Sequence, residues 1–203
     1  MQPSQAKKSQ DKRNLILENS FDLVLCKGFF GVGLQEILKN CHVPKGSFYY
    51  YFQSKEAFGC ALLEHYIQHY HARLTELWSN HNSAQDRILS YFNAWIYHEQ
   101  SQCGWAEKCL IVKLAAEVAD LSEDMRLIMD TSTKDLIARI AYLITQGQQD
   151  GSVKNQLPAH DVAQIIYQMW LGAALLSKLQ KDKTPLQHAM QATKFMLNPS
   201  HTL

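Results

Sequence analysis

The chain has little that would mark it as secreted, membrane-bound or catalytic. Its five cysteines (Cys26, Cys41, Cys60, Cys103 and Cys109) are odd in number and scattered. That excludes a complete disulfide framework and points to thiols kept reduced in a cytoplasm. No stretch approaches the roughly 18 consecutive apolar residues of a membrane span. The polar start, MQPSQAKKSQDKR, lacks the apolar segment of a secretory signal. Catalytic signatures are missing as well: there is no phosphate loop, no nucleophile elbow and no His-Glu-x-x-His. The expectation is therefore a cytoplasmic protein that is not an enzyme and carries no cofactor and no metal. His65 and His69 are four apart, a spacing that can bind metal, but the pair reads as part of a solvated polar face.

Charge of one sign is also scarce, with a net charge of +1 over 203 residues. The balance conceals a division. Residues 1–60 hold eight Lys or Arg against five Asp or Glu, and the remainder twelve against fourteen. A mildly basic head on a mildly acidic body suits a DNA-binding head with a separate body.

What the chain does have is helical periodicity. Its five prolines and nine glycines fall mostly near helix ends, and no region reads as strand-rich. The spacing predicts a first helix over 11–27, with Ile16, Leu17, Ser20, Leu23 and Val24 as its inner stripe and Gly28 as its stop. A fourth helix runs from Ser54 to Trp78, a break falls at residues 80–83, and a fifth helix follows to Gln100. A loop over SQCGWAEK leads into a sixth, about 106–119. Ser122 caps a seventh that ends near Gly151, Pro158 opens an eighth, and Thr184-Pro185 opens a ninth that Asn198-Pro199 ends. The eighth helix is apolar nearly all round: Ile165, Ile166, Met169, Trp170, Leu171, Ala173, Ala174, Leu175 and Leu176. Such a helix is buried on several sides, within the monomer or against another subunit.

Residues 28–56 carry most of the functional information. Leu34, Ile37 and Leu38 make one buried stripe of a short helix. Cys41, His42 and Val43 make a turn, and Pro44 fits the first position of the next helix. In that helix Phe48 and Phe52 face inward, leaving Lys45, Ser47, Tyr49 and Tyr50 outward. A solvent face with two phenolic hydroxyls and no carboxylate suits phosphates and base edges. This is the layout of a helix-turn-helix.

Gly28-Phe29, then Val43-Pro44-Lys45-Gly46-Ser47-Phe48-Tyr49-Tyr50-Tyr51-Phe52 and Ser54-Lys55-Glu56, resemble the signature of the TetR/AcrR family of bacterial transcriptional repressors, over about residues 12–60. The usual Thr-Ser before the second helix is Val32-Gly33 here, which removes one hydroxyl contact to phosphate. The resemblance implies an all-α fold of about nine helices, a helix-turn-helix domain over 11–56 and a helical regulatory and dimerisation domain over 57–198. It implies a homodimer, paired through its last two long helices, on a palindromic double-stranded operator. Lys45, Gly46, Ser47, Tyr49 and Tyr50 fall where the family contacts DNA, and Lys55 where it grips a phosphate. Family members release DNA when the body changes shape, usually on binding a small molecule. Tyr66, Tyr70, Trp95, Trp105, Met129, Tyr167 and Trp170 are the pocket candidates, against the alternative that each is ordinary core.

The run from Cys109 to Arg126 is similar to the body of the N-ethylmaleimide-reductase repressor group, which senses electrophiles and reactive chlorine species. The resemblance makes Cys109 the sensing thiol, and the target a reductase or detoxification gene. By spacing, Cys109 falls in the first turn of the sixth helix, where the positive end of the dipole favours a thiolate, with Lys113 four residues on. Lys178 shares a stripe with Leu171 and Ala174. It either lies over the interior, where a thiolate would answer its charge, or reaches water at the helix end. Cys103, on the loop, is a possible resolving thiol. The alternative is a repressor relieved by reversible binding of an apolar inducer, with Cys109 only part of the wall.

Overall fold

The computed structural model describes residues 5–80, 83–97 and 103–199. Among these the regular structure is all helix: α1 (Gln5–Lys27), α2 (Leu34–Cys41), α3 (Lys45–Tyr51), α4 (Lys55–Ser79), α5 (Ala84–Ile96), α6 (Leu110–Leu121), α7 (Glu123–Asp150), α8 (Ala159–Gln180) and α9 (Thr184–Leu197). Each expected helix is present. The ends follow local chemistry. Gly28 leaves α1 with φ +83°, in the left-handed region. Ser54, Ser83 and Ser122 cap α4, α5 and α7, their hydroxyls accepting the N–H of Ala57, Asp86 and Met125 at 2.9, 3.0 and 3.3 Å.

Three boundaries differ from the sequence reading. α1 begins at Gln5, because nothing in its polar first turns breaks a helix. α5 stops at Ile96, with Tyr97 extended; residues 98–102, to which the fifth helix and the loop were read, lie outside the described residues, as do His81 and Asn82 of the expected break. α6 starts at Leu110 instead of about 106. Residues 104–106 are held elsewhere: the N–H groups of Trp105 and Ala106 bond to the free carbonyls of Ala94 and Trp95 at the end of α5, at 2.9 and 3.3 Å. Gly104 makes that approach possible, since a Cβ there would stand 2.1 Å from the Trp95 carbonyl oxygen.

The chain forms two compact units, Met1–His69 with Lys113–Asp130, and Tyr70–Val112 with Thr131–Leu203. In the first, α1 to α3 and the start of α4 bury Ile16, Leu17, Val24, Phe29, Ile37, Phe48, Phe52, Phe58 and Leu62. In the second, Phe92 stacks on Trp170 at 4.6 Å, and Trp170 donates to the Thr193 hydroxyl at 2.9 Å, tying α5, α8 and α9. α8 is less covered than its composition implied. Ile166, Trp170, Ala173 and Ala174 are buried, but Ile165, Leu175, Leu176 and Leu179 are exposed, with Leu179 at 71%. No described helix is long and apolar enough to cross a membrane.

Candidate functional site: the reading helix and the buried thiol

The helix-turn-helix is set by its own hydrophobic spacing. Phe48 of α3 and Phe52, its C-cap residue, meet each other and Phe58 of α4, with ring centroids 5.1–5.4 Å apart. Each burial supplies about 1.5–3 kcal/mol, and the tilted contacts add to it. The turn between α2 and α3 passes through His42 in the left-handed region, φ 54°. Pro44 sits one position earlier than expected, as the N-cap, and its carbonyl accepts the Phe48 N–H at 3.2 Å. Gly33 caps α2 without a side-chain bond.

With the phenylalanines turned inward, the opposite face of α3 is left to solvent. Lys45 and Gly46 are exposed, Ser47 is half-buried, and Tyr49 and Tyr50 are 45% and 75% exposed. Lys45 Nζ lies 5.9 Å from the Tyr49 ring centre. Lys55 is half-buried, its ammonium 4.8 Å over Phe29 and 5.8 Å over Phe30. Burial pulls its pKa down and the Glu117 carboxylate pushes it up.

Glu117 was not singled out by sequence. Its carboxylate accepts the Phe30 N–H at 2.5 Å, and a Cβ on Gly28 would stand 2.7 Å from it. Lys113 was expected beside Cys109, one helical turn away; its ammonium instead donates to the Cys26 carbonyl at 3.0 Å, at the end of α1. No local pattern in α6 announces either bond, because their acceptor and donor are backbone groups 87 residues earlier.

The second site surrounds Cys109, which is 3% exposed and stands immediately before α6, not within its first turn. The Tyr70 and Tyr91 hydroxyls share a hydrogen bond of 2.8 Å, and Trp95 Nε1 donates to Tyr70 at 3.0 Å. Trp105 packs edge-on against Tyr70 at 5.4 Å, beneath the Arg73 guanidinium at 4.3 Å. Tyr167 meets Trp95 at 6.3 Å. Burial pushes the phenols of Tyr70, Tyr91 and Tyr167 up, and in each Cys109 adds to the effect. All three therefore remain O–H groups at neutral pH, within electrostatic reach of the sulfur.

Of the pocket candidates, the fold brings Tyr70, Trp95, Trp105, Tyr167 and Trp170 into this unit. It places Tyr66 and Met129 in the other, with Tyr66 stacked on Phe21 at 5.8 Å. An open groove of about 590 Å³, lined by Trp78, Arg87, Arg139, Tyr142 and Leu143 among others, uses none of the seven. Lys178 is half-buried in the last turn of α8. Cys41 is buried against the Ser20 hydroxyl at 3.2 Å, and burial raises its pKa, as it does for Cys60. The Cys103 thiol is raised by its hydrogen bond to Glu107.

Comparisons with known proteins agree with this geometry. Residues 16–59 match the model for bacterial regulatory proteins of the tetR family, and residues 84–193 the tetracyclin repressor-like C-terminal domain. The chain is 43% identical over 185 residues to the HTH-type transcriptional repressor NemR of Escherichia coli (strain K12), covering 91% of this chain and 92% of that one. The crystal structure of reduced E. coli NemR is similar at a TM-score of 0.85 and 41% identity, covering 94% of this chain and all of that one. A solved TetR/AcrR-family regulator is similar at 58% identity and a TM-score of 0.84, covering 93% of this chain and all of that one. These are transcription regulators and not enzymes.

Proposed function

Because the chain belongs to the TetR family of bacterial regulatory proteins, we propose that it is a homodimeric repressor that leaves its operator when Cys109 is oxidised or alkylated. The exposed apolar residues of α8, with Phe195 of α9, favour a dimer, since a second copy pairing the same two helices would cover them. A twofold dimer offers two copies of α3 to a palindromic operator, with centres about 34–36 Å apart or a multiple of that. Tyr49 and Tyr50 are the groups we assign to base edges and phosphates, Lys45 and Lys55 to phosphates. Gly46 lets the backbone approach, and Ser47 donates a hydroxyl.

What supports the sensing half is a buried Cys109 within electrostatic reach of Tyr70, Tyr91 and Tyr167, whose phenols stay protonated. A neighbouring cation favours a thiolate, and we assign Lys178 that role. An electrophile would bond to Sγ as the thiol proton leaves. Hypochlorous acid would transfer its chlorine to the thiolate and release hydroxide, opening the oxidation ladder. Either adduct enlarges a closely packed site, and such overpacking costs about 1–3 kcal/mol. The turn at 104–109 and the start of α6 give way first. Further along the same helix, Lys113 and Glu117 bond to the backbone around Gly28, so displacement of α6 loosens the frame of the helix-turn-helix. The target we assign is a reductase or detoxification gene, on the resemblance of the Cys109–Arg126 run to the N-ethylmaleimide-reductase repressor group.

A gel shift on the promoter beside its own gene tests the reading. Wild type should bind when reduced, release after N-ethylmaleimide or hypochlorite, and, for hypochlorite, rebind with reductant. Cys109→Ser should bind as wild type does and stay bound under both treatments. Release of that variant at wild-type doses would overturn the thiol reading and leave the reversible apolar inducer, for which the indoles and phenols around Tyr70 are the wall.

A further inference from the structure

We propose that Glu18, His65 and His69 form a binding site for a divalent transition-metal ion of the zinc class, clasping α1 to α4. The two imidazoles come from successive turns of α4, an i, i+4 pair that presents both rings on one face; the ring centroids are 4.3 Å apart. The fold adds what spacing alone could not, a carboxylate from another helix. His65 Nε2 lies 3.7 Å from Glu18 Oε1, and one ligand atom from each of the three residues falls within 4.8 Å of the others. Donors at about 2.0–2.1 Å around a tetrahedral zinc ion stand about 3.4 Å apart, so small side-chain rotations close the set. The fourth position faces solvent and is left to water, since Glu18 and His69 are exposed.

The seam between the helices is pinned beside the site by Phe21 stacked on Tyr66 at 5.8 Å. Arg13, whose charge also reaches His65, opposes a cation, and Glu18 answers it. Two histidines and a carboxylate suit zinc, nickel or cobalt better than the oxygen-seeking magnesium or calcium. An ion here ties α1, which ends at the Gly28 turn, to α4, which begins at Lys55, and so stiffens the frame on either side of the reading pair.

The test uses the full chain, reduced and freed of metal, titrated with Zn2+ and separately with Co2+. The expected result is one site per chain that persists in Cys109→Ser. Its cobalt spectrum should lack the intense thiolate-to-metal charge-transfer band. His69→Ala, a change at an exposed position, should weaken zinc binding by at least the roughly 10–100-fold that follows loss of even a supporting contact. Glu18→Gln should weaken it in the same direction. The unfolding temperature of the wild type should rise with added Zn2+, and that of His69→Ala should not. Equal zinc affinity in wild type and His69→Ala, or cobalt bound only with the thiolate band, would overturn the site.

Discussion

The Tyr70 hydroxyl bonds both Tyr91 and the Trp95 N–H, whereas the Tyr91 hydroxyl bonds Tyr70, and that asymmetry separates two substitutions of equal size. Tyr91→Phe removes one shared hydrogen bond and should cost about 0.5–1.5 kcal/mol in urea unfolding. Tyr70→Phe also strips the acceptor from the buried Trp95 N–H, so it should cost more, about 1–3 kcal/mol. If the two melt alike, the Trp95 bond contributes little. Gly28 makes a sharper case. A side chain there meets the left-handed penalty of about 1–2 kcal/mol and, in addition, the Glu117 carboxylate at 2.7 Å. Gly28→Ala should therefore destabilise the chain, and Glu117→Ala in the same chain should relieve the steric share while leaving the backbone share. A double-mutant cycle measured by chemical unfolding reads the difference. The histidines add a pH dependence. Burial holds both His65 and His71 below the usual 6.5, so the unfolded chain binds more protons below that pH. Stability is complete above about 6.5 and falls as pH drops towards the folded-state values. His65→Gln with His71→Gln should flatten the decline of melting temperature between neutral and mildly acid pH.

At the scale of helices, the sequence was most readable where periodicity meets a strong cap. The spacing of Leu34, Ile37, Leu38, Phe48 and Phe52 was enough to place α2 and α3, because each short helix has a single buried stripe and a turn with nowhere else to go. α6 was harder. Residues 106–109 continue a plausible helical pattern, but the unpaired carbonyls at the end of α5 capture the backbone of Trp105 and Ala106, and no local rule sees an acceptor eleven residues back. Glu117 and Glu18 stayed hidden for a related reason: each acts on groups brought near by folding alone. α8 was apolar for a cause that one chain does not use up. Ile165, Leu176 and Leu179, at i, i+11 and i+14, share the outward face with exposed Gly172, and its missing side chain meets nothing within 4 Å. Leu176→Glu with Leu179→Glu would put four carboxylates into the proposed dimer seam. The double variant should sediment as a folded monomer and lose operator binding, since neither residue supports the monomer core. A dimer of unchanged mass would move the interface off α8.

For the whole molecule, operator binding should separate into a charge part and a contact part, and salt tells them apart. Each phosphate neutralised contributes about −0.9 to the slope of log affinity against log salt. Lys45 is exposed on the reading helix, so as a phosphate contact made twice in a dimer it should contribute about −1.8. Lys45→Gln should then reduce the slope by that amount and weaken binding most at low salt. Tyr50 is the most exposed aromatic of the helix at 75%. Tyr50→Phe keeps the ring and deletes only the hydroxyl, so it should lower affinity at every salt concentration without changing the slope. Fluorescence anisotropy over a salt series, with the operator and with an unrelated duplex, distinguishes the roles further. Loss of the Tyr50 hydroxyl should narrow the gap between the two duplexes if it reads a base edge, and loss of the Lys45 charge should weaken both alike. An unchanged slope in Lys45→Gln would mean that the basic head, small as its charge excess is, grips the phosphates through other residues.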